Sequence, residues 1–416
     1  MADLAVELYG TRIGTLKGDW RTFDLEFEPS AVMTFGIDSP ILSVAVPLAL
    51  VPTRAHKQRR RNFFQELLPE GRMLKRLAQE ANVPESDTIG LLRRYGRDVA
   101  GALQIWDPDE PGEPHQPRLE PLDEAGVAGL LENVQTFPLG NKPRGGKSSL
   151  AGVQDKIVLT HTSEGWHRAL DGHPSTHILK PVPEGLPTVI YDEEYGARLA
   201  RAVGLIPYRT WVQGFAGVPA LVIERYDRAP DAPQARIHQE DFNQALGASG
   251  HEKYQRYGGK VSLTRIARLL EQCPKPTSLE VLLRMVTLAA AVGNLDMHAK
   301  NLSLLHLVEG TVELAPAYDF VPQAHQRNDG EMALAVAGEY RHAHITRAHL
   351  IEEALTWGLA DPGPTIDAVL ETVLETAPQE KPHPRAYPRL TADISRFAQN
   401  LLKGRATGPP TGEQRS

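Results

Sequence analysis

A long apolar stretch in the second half of the chain is the feature that most constrains its fold. Residues 279–292 are apolar on nearly every helical face, so they predict a helix that is buried on all sides. A strongly polar segment, residues 293–301, follows at once, and two short apolar stretches come next. The pattern therefore predicts a domain built around a central helix, with a polar loop and then a β-hairpin at its end.

The polar loop has a spacing of side chains that suits phosphoryl transfer. Asp296 and Asn301 stand in the order D-x-x-x-x-N, which a protein-kinase catalytic loop uses for its base and a metal-binding amide. The hairpin then delivers Asp319 to the position of a second metal ligand. We expect Asp296 to be the base and Asn301 and Asp319 to bind Mg²⁺, which prefers oxygen ligands. His298 and Lys300 on the same loop are candidates for steadying phosphate.

The same spacing has a structural alternative, in which Asp and Asn only cap and turn a loop after a helix. A very polar loop between a buried helix and an apolar hairpin, with a further Asp beyond it, favours the functional interpretation.

Three upstream segments supply candidates for nucleotide binding. Lys180 ends a predicted strand, where a kinase places the lysine that pairs with the α- and β-phosphates, and Glu194 is its candidate partner. An apolar strand that ends in Glu224 and Tyr226 is typical of a hinge whose backbone binds adenine. The Gly- and Ser-containing segment 147–156 can lay backbone N–H groups along phosphates. Taken singly, these segments also fit an edge lysine, a charged surface turn and a flexible loop.

The chain of 416 residues is long enough for two or three domains. Short strands are expected at 4–8, 12–16, 23–27, 42–46 and 102–106, and residues 107–125, dense in Pro, Asp and Glu, are expected to form an exposed linker. The predicted division is an N-terminal accessory domain (1–106), a linker (107–147), a kinase-like N-lobe core (148–228), a helical C-lobe with the catalytic and metal-binding loops (229–403) and a disordered tail (404–416).

Composition narrows the class of protein. The net charge of -7 argues against a chain that binds nucleic acid as a whole, and we expect the basic run at 56–61 to be a solvated loop. The single cysteine, Cys273, permits no intramolecular disulfide and no thiolate-rich zinc site, which fits a reducing cytoplasm. No apolar run approaches the length of a membrane span and no signal peptide is evident, so a cytoplasmic protein without a membrane role is expected.

Together these segments resemble the HipA family of bacterial type II toxin–antitoxin serine/threonine kinases. The matching stretches follow the family's order: FFQELLPEG (63–71), SLAGVQDK (149–156), THILKP (176–181), DEEY (192–195), VIERYDR (222–228), HQEDFNQALG (238–247), GNLDMHAKN (293–301) and LAPAYD (314–319). Met297 departs from the family loop, where arginine is common.

The resemblance implies an α+β, protein-kinase-like bilobal fold with a small β-rich lobe, a larger helical lobe and an N-terminal accessory β/α unit. It implies a cytoplasmic Ser/Thr protein kinase that uses ATP and Mg²⁺. It further implies Asp296 as base, Asn301 and Asp319 on the metal, and the remaining site residues in these roles: Lys156 and Lys180 on the phosphates, Glu224 and Tyr226 at the adenine.

The resemblance also implies regulation and partners. Ser149 matches the family's autophosphorylated serine, with Ser148 as a second acceptor, and phosphorylation expels the serine loop and stops activity. A phosphate adds about -1.5 to -2 charges near acidic metal ligands, which opposes ATP binding. A small helix-turn-helix antitoxin (HipB-like) is the expected partner, and DNA is reached only through it. The protein substrate is expected to be a cytoplasmic protein, with an aminoacyl-tRNA synthetase as one candidate, and its phosphorylation arrests growth and promotes persistence.

Two alternatives stay open from the sequence. One is a catalytically weak, nucleotide-binding co-repressor that acts with a helix-turn-helix partner. The other is direct binding of nucleic acid through residues 56–61, which the net charge of -7 disfavours.

Overall fold

The computed structural model describes residues 3–141, 146–272 and 278–409. Cys273, residues 142–145 of the predicted linker and the last residues of the predicted tail lie outside these ranges. The strands are β1 (Leu4–Leu8), β2 (Thr11–Lys17), β3 (Asp24–Phe27), β4 (Leu103–Trp106), β5 (Arg118–Leu122), β6 (Ile157–Thr162), β7 (Gly165–Leu170), β8 (His177–Pro181), β9 (Thr210–Phe215), β10 (Val218–Glu224), β11 (His238–Asp241), β12 (Ser303–His306), β13 (Val312–Leu314), β14 (Glu331–Val336) and β15 (Glu339–Arg341).

Helices alternate with these strands and dominate the second half of the chain. They are α1 (Pro29–Phe35), α2 (Lys57–Gln65), α3 (Gly71–Ala81), α4 (Thr88–Tyr95), α5 (Glu124–Glu132), α6 (Val189–Ala202), α7 (Phe242–Ala245), α8 (Leu263–Leu270), α9 (Ser278–Val292), α10 (Arg347–Thr356), α11 (Gly363–Gln379) and α12 (Leu390–Leu402). Within the described ranges, none of these helices combines the length and apolar character needed to span a bilayer.

The chain divides into two compact units. Unit 1 contains the residues up to Pro183, Trp211–Ser249 and Leu305–Val312. Unit 2 contains Glu184–Thr210, Gly250–Leu304 and the residues from Glu313 onward.

Unit 1 begins with an antiparallel sheet of strand order β3-β2-β1-β4. The hairpin formed by β1 and β2 turns at Tyr9 and Gly10, which both have positive φ, as the tight hairpin turns that match strand twist require. The apolar face of this sheet packs with α2 and α4 in one core that includes Leu4, Phe63 and Leu92.

The predicted strand at 42–46 is wrong, because this segment is an irregular buried loop. Its backbone groups bond to side chains instead of a strand: the Ser43 hydroxyl accepts from Ala45 N at 3.0 Å, and the Glu240 carboxylate accepts from Val44 N at 2.8 Å. Leu42, Ala45 and Val46 are buried as apolar residues of a strand would be, which explains why the pattern misleads.

The second sheet of unit 1 has the order β5-β7-β6-β8-β10-β9, with α5 packed against β8 and β10. The sequence predicts an exposed linker at residues 107–125. Residues 118–122 are mostly exposed, but they form β5, which pairs with β7 along its whole length, so the prediction of a linker is wrong there. Pro121 is tolerated because β5 is an edge strand, where one side of the backbone needs no partner.

The basic run at 56–61 lies mostly in α2, and two of its arginines are structural. Arg60 is 3% exposed and its Nε lies 2.7 Å from Asp24 Oδ1, while Arg61 Nε donates to Phe23 O at 2.8 Å. These contacts fix α2 against the first sheet, so these two guanidinium groups serve the fold of unit 1.

Unit 2 is mainly helical and is organised around α9. The expectation of a helix buried on all sides is confirmed, since nearly every residue of α9 from Leu282 onward is buried and α11, α12 and α10 pack on it. The predicted disordered tail is wrong for residues 404–409: Thr407 is fully buried and its N–H donates to Ile345 O at 3.0 Å.

Candidate active site

The polar loop leaves α9 at Gly293, whose φ of 72° suits glycine after a helix end. A Cβ at this position would lie 2.7 Å from Cβ of Ala324. The N–H groups of Gln323 and Ala324 both donate to Gly293 O, at 2.8 and 3.1 Å. The end of α9 is therefore tied to the chain that follows Asp319.

Asp296 lies on this loop with its side chain 44% exposed. Its Oδ1 accepts a hydrogen bond from the Tyr254 hydroxyl at 3.2 Å and lies 4.0 Å from His298 Nε2. The loop backbone is tightly wound, since His298 N donates to Asp296 O at 2.8 Å. The candidate base is therefore accessible, and the loop that carries it is hydrogen-bonded within itself.

Asn301 is oriented by the same loop. Its Nδ2 donates to Asp296 O at 2.8 Å, so the amide nitrogen is occupied and the amide oxygen is the atom suited to bind a metal ion. The side chains of His298, Lys300 and Asn301 are all buried.

Asp319 is brought to the loop by its neighbour Tyr318. The Tyr318 hydroxyl donates to Lys300 O at 2.7 Å and lies 2.6 Å from Ser303 Oγ. Tyr318 directly precedes Asp319, and Lys300 directly precedes Asn301. The structure therefore brings the two candidate metal ligands into one neighbourhood.

Asp319 has a left-handed backbone, with φ of 56°, which is uncommon for a residue with a side chain and is often found at functional sites. The preceding chain is held on both sides: Ala317 N donates to Leu205 O at 3.0 Å, and the Tyr208 hydroxyl donates to Ala317 O at 2.7 Å. These bonds fix the conformation from which Asp319 projects.

The candidate phosphate-binding lysines lie in unit 1 at two neighbouring strands. In the pairing of β6 with β8, Ile157 is opposite Leu179, so the next position places Lys156 beside Lys180. Both side chains are buried, at 7% and 6% exposure. Lys156 therefore directly precedes β6 at the level of Lys180 in β8, although the two residues are far apart in sequence.

Glu224 is the last residue of β10, opposite His177 of β8, and Tyr226 lies two residues beyond it. Arg225 N donates to Thr176 O at 2.9 Å, and the Tyr226 hydroxyl donates to Gln239 Oε1. In unit 2, Glu194 of α6 pairs with Arg198 one turn away, at 3.0 Å.

Ser148 and Ser149 are both buried in the segment 146–153, which we name the serine loop. The Ser149 hydroxyl donates to Leu67 O at 2.9 Å, and the Ser148 hydroxyl donates to Asp98 Oδ2 at 3.2 Å. Lys156 Nζ donates to Ala151 O at 2.8 Å, which ties one candidate phosphate-binding lysine to the loop. Either serine must leave its present position before it can accept a phosphate.

The serine loop rests on a buried network of charges. Asp98 lies 2.9 Å from Arg228 Nη2, and Asp227 lies 2.8 Å from Arg225 Nη2. Burial alone would raise the pKa of Asp98, but Arg228, Arg225 and Arg236 together hold it below its usual value. The loop is also held by the ion pair between Lys147 and Glu113, both buried, with Arg97 Nε 3.8 Å from Glu113 Oε2.

Sequence reasoning missed several of these residues. Tyr254 belongs to no spacing pattern, and Asp98 and Glu113 contact residues far along the chain, so no local signal distinguishes them. The family resemblance includes the stretch 63–71 without giving it a role; in the structure, Leu67 O and Glu70 N both bond to the serine loop.

Comparisons with known proteins agree with this architecture. The model of the HipA N-terminal domain matches residues 4–106, and that of the HipA-like C-terminal domain matches residues 148–380. Y4mE of Sinorhizobium fredii, whose name assigns it as a kinase, is 38% identical over 283 residues, which cover 66% of this chain and 67% of that protein. The serine/threonine-protein kinase toxin HipA of Shewanella oneidensis is 29% identical over 296 residues, covering 67% of this chain and 66% of the relative.

A solved structure supports the fold. The Shewanella oneidensis toxin–antitoxin structure of HipA, HipB and operator DNA contains a chain that matches with a TM-score of 0.76 at 24% identity, covering 96% of both chains. This similarity confirms the predicted α+β, protein-kinase-like fold. The chain belongs to the HipA family, because the C-terminal family model alone spans more than half of it.

Proposed function

We propose that the protein is an ATP-dependent serine/threonine protein kinase that acts as the toxin of a toxin–antitoxin module. The observation that carries this proposal is the bond from Tyr318 to Lys300 O, which gathers Asp296, Asn301 and Asp319 around one loop. Such an arrangement supplies a base and two oxygen ligands, the parts that phosphoryl transfer needs.

The proposed roles follow from the chemistry of the side chains. Asp296 accepts the proton of the substrate hydroxyl as that oxygen bonds to the γ-phosphorus of ATP and ADP leaves. The amide oxygen of Asn301 and the carboxylate of Asp319 would hold Mg²⁺, for which this set of oxygen donors is suited. When bound, the metal ion offsets the charge of the phosphates.

The remaining residues would bind the nucleotide. Lys156, directly before β6, and Lys180 in β8 lie at the same level of the sheet and would contact the phosphates, with His298 and Lys300 steadying them. The backbone at Glu224 and Tyr226 would bind adenine. Lys156 now holds the serine loop, so its transfer to a phosphate would accompany release of that loop.

Autophosphorylation tests this proposal. With radiolabelled ATP and Mg²⁺, we expect label on a peptide that contains Ser149 and Ser148, and we expect Asp296→Asn to lower its rate by roughly 10² to 10⁴, the usual contribution of a general base. Asp361→Asn is the control, because Asp361 is exposed and has no assigned role. Normal binding of ATP by the wild type without any labelling would refute the kinase and favour the nucleotide-binding co-repressor.

A small helix-turn-helix antitoxin is the proposed partner, through which the protein would reach DNA. The similar chain of known structure is HipA of Shewanella oneidensis in complex with HipB and operator DNA, which supports this proposal. The proposed target is a cytoplasmic protein whose phosphorylation arrests growth, with aminoacyl-tRNA synthetases as candidates. Phosphoproteomics after induction of wild type and Asp296→Asn would identify it.

A further inference from the structure

The carboxylate of Asp296 needs a support, because it is 44% exposed at the tip of a loop. An exposed carboxylate samples several rotamers, and a base that transfers a proton must be held in one of them. The Tyr254 hydroxyl donates to Asp296 Oδ1 at 3.2 Å. This is a hydrogen bond to an ionised group, a class that is stronger than neutral ones.

The ring of Tyr254 contacts three neighbouring side chains, one of which is the Tyr257 ring, edge to face at a centroid distance of 6.1 Å. It meets the His298 ring edge to face, with centroids 5.2 Å apart and an angle of 81°. The ammonium group of Lys253 lies 5.4 Å from the Tyr254 ring centroid, a cation–π contact. The hydroxyl is therefore presented by a ring with little freedom to move.

The backbone ties Tyr254 and Asp296 to the same residue of β14. Ala333 N donates to Leu295 O at 2.8 Å, and Ala333 O accepts from Gln255 N at 3.2 Å. Tyr254 and Asp296 are the chain neighbours of these two partners. The Gln255 side chain adds a second attachment to β14, since its Oε1 accepts from Ala335 N at 3.0 Å.

We propose that Tyr254 is a positioning residue for Asp296, whose hydroxyl holds the carboxylate in the orientation that accepts the proton of the substrate hydroxyl. The inference rests on the proposed kinase function and adds a residue to it. Tyr254 acts through Asp296 and takes no proton itself. This role gives a reason for the hydrogen bonds that join the 250–257 segment, the polar loop and β14 next to Tyr254 and Asp296.

The first test is a kinetic one. Tyr254→Phe keeps the ring on His298 and removes only the donor, so we expect kcat to fall about tenfold, the effect of losing a hydrogen bond to a charged group, while KM for ATP stays unchanged. Tyr257→Phe is the matched control, because Tyr257 is a neighbouring tyrosine that is 62% exposed. An unchanged kcat in Tyr254→Phe, or equal losses in both variants, would overturn the proposal.

The second test is independent of catalysis and therefore separates this inference from the kinase proposal. In protein labelled with ¹³Cγ-aspartate, the resonance of Asp296 is assigned as the one lost in Asp296→Asn. At a single pH near neutrality, we expect this resonance to move in Tyr254→Phe and to stay in place in Tyr257→Phe. If it stays in place in both, Tyr254 does not hold Asp296, whether or not the protein transfers phosphate.

Discussion

At the scale of single residues, the site depends on places where the backbone of one element touches another. Gly196 of α6 is the clearest, because a Cβ there would lie 2.2 Å from Phe320 O, the carbonyl directly after Asp319. Met297, which replaces the family's common arginine, is also tightly enclosed, since only 3% of its surface is exposed. An apolar side chain fits that environment, whereas a charge would need a partner.

We expect Gly196→Ala to destabilise the protein by about 1–3 kcal/mol, the usual cost of overpacking. The carbonyl of Phe320 can make room for the new methyl group only if the backbone around Phe320 shifts. Labelling of the serines should also fall, since Asp319 is displaced with its neighbour. Urea unfolding midpoints and the labelling assay measure the two effects.

Gly129→Ala is the matched control, because Gly129 also lies inside a helix and a Cβ there meets nothing within 4 Å. Alanine is favoured over glycine in a helix by up to about 1 kcal/mol, so this variant should be as stable as the wild type or more so. Equal stability of Gly196→Ala and the wild type would contradict the steric argument.

At the scale of elements, periodic patterns predict helices and strands correctly where the local sequence determines the structure. The apolar stretch that became α9 is confirmed as a buried helix. The errors are β5, the loop at 42–46 and residues 404–409. Their conformation is decided by distant partners, β7, Glu240 and Ile345, which no local pattern reveals.

The candidate site was predictable to a similar degree. The spacing of Asp296, Asn301 and Asp319 was visible because it lies within one stretch of chain. The proximity of Lys156 and Lys180 depends on strand register, and the support of Asp296 by Tyr254 depends on a shared strand, so neither could be derived from spacing alone.

The serine loop gives a prediction at this scale. Glu113→Gln removes the buried carboxylate that forms the ion pair with Lys147. Breaking a buried ion pair typically costs about 3–5 kcal/mol of folding free energy. We expect the loop to open more often, so trypsin should cleave after Lys147 faster and the serines should be labelled faster. Peptide mapping over time measures both rates.

Glu110→Gln provides the control for the serine loop, because Glu110 lies on the same segment and is exposed. Cleavage and labelling rates that are the same in Glu113→Gln, Glu110→Gln and the wild type would show that Glu113 does not hold the loop.

At the scale of the whole molecule, each unit buries a neutral histidine. Burial, with His306 nearby, lowers the pKa of His238 in unit 1 to about 3, and burial lowers that of His342 in unit 2 to about 4. Both rings lie 2.8 Å from a backbone carbonyl through Nε2, which fits a neutral ring that donates there. Both therefore link stability to pH in the same direction.

We expect the free energy of unfolding to fall as the pH drops from about 6.5 to 4, because these histidines bind protons in the unfolded chain but stay neutral in the folded protein. Each such histidine contributes up to about 1.4 kcal/mol per pH unit in that range. The lowered pKa values of Asp98 and Asp227 extend the loss below pH 4. Urea midpoints at several pH values measure the slope.

The slope should flatten in His238→Gln and in His342→Gln, whatever their stability at neutral pH. His344→Gln is the control, since the His344 side chain is 61% exposed. A slope that is identical in all four proteins would mean that neither buried ring stays neutral.

The edge strand β5 limits how the chain can be divided or recombined. The two family models leave residues 107–147 between them, and this interval carries β5, α5 and Leu139, which packs in the core of the first sheet. A fragment cut at residue 148 would bare the β7 edge, a template for aggregation. Recombination between relatives would therefore have to transfer residues 107–147 together with both sheets of unit 1, as a single heritable block.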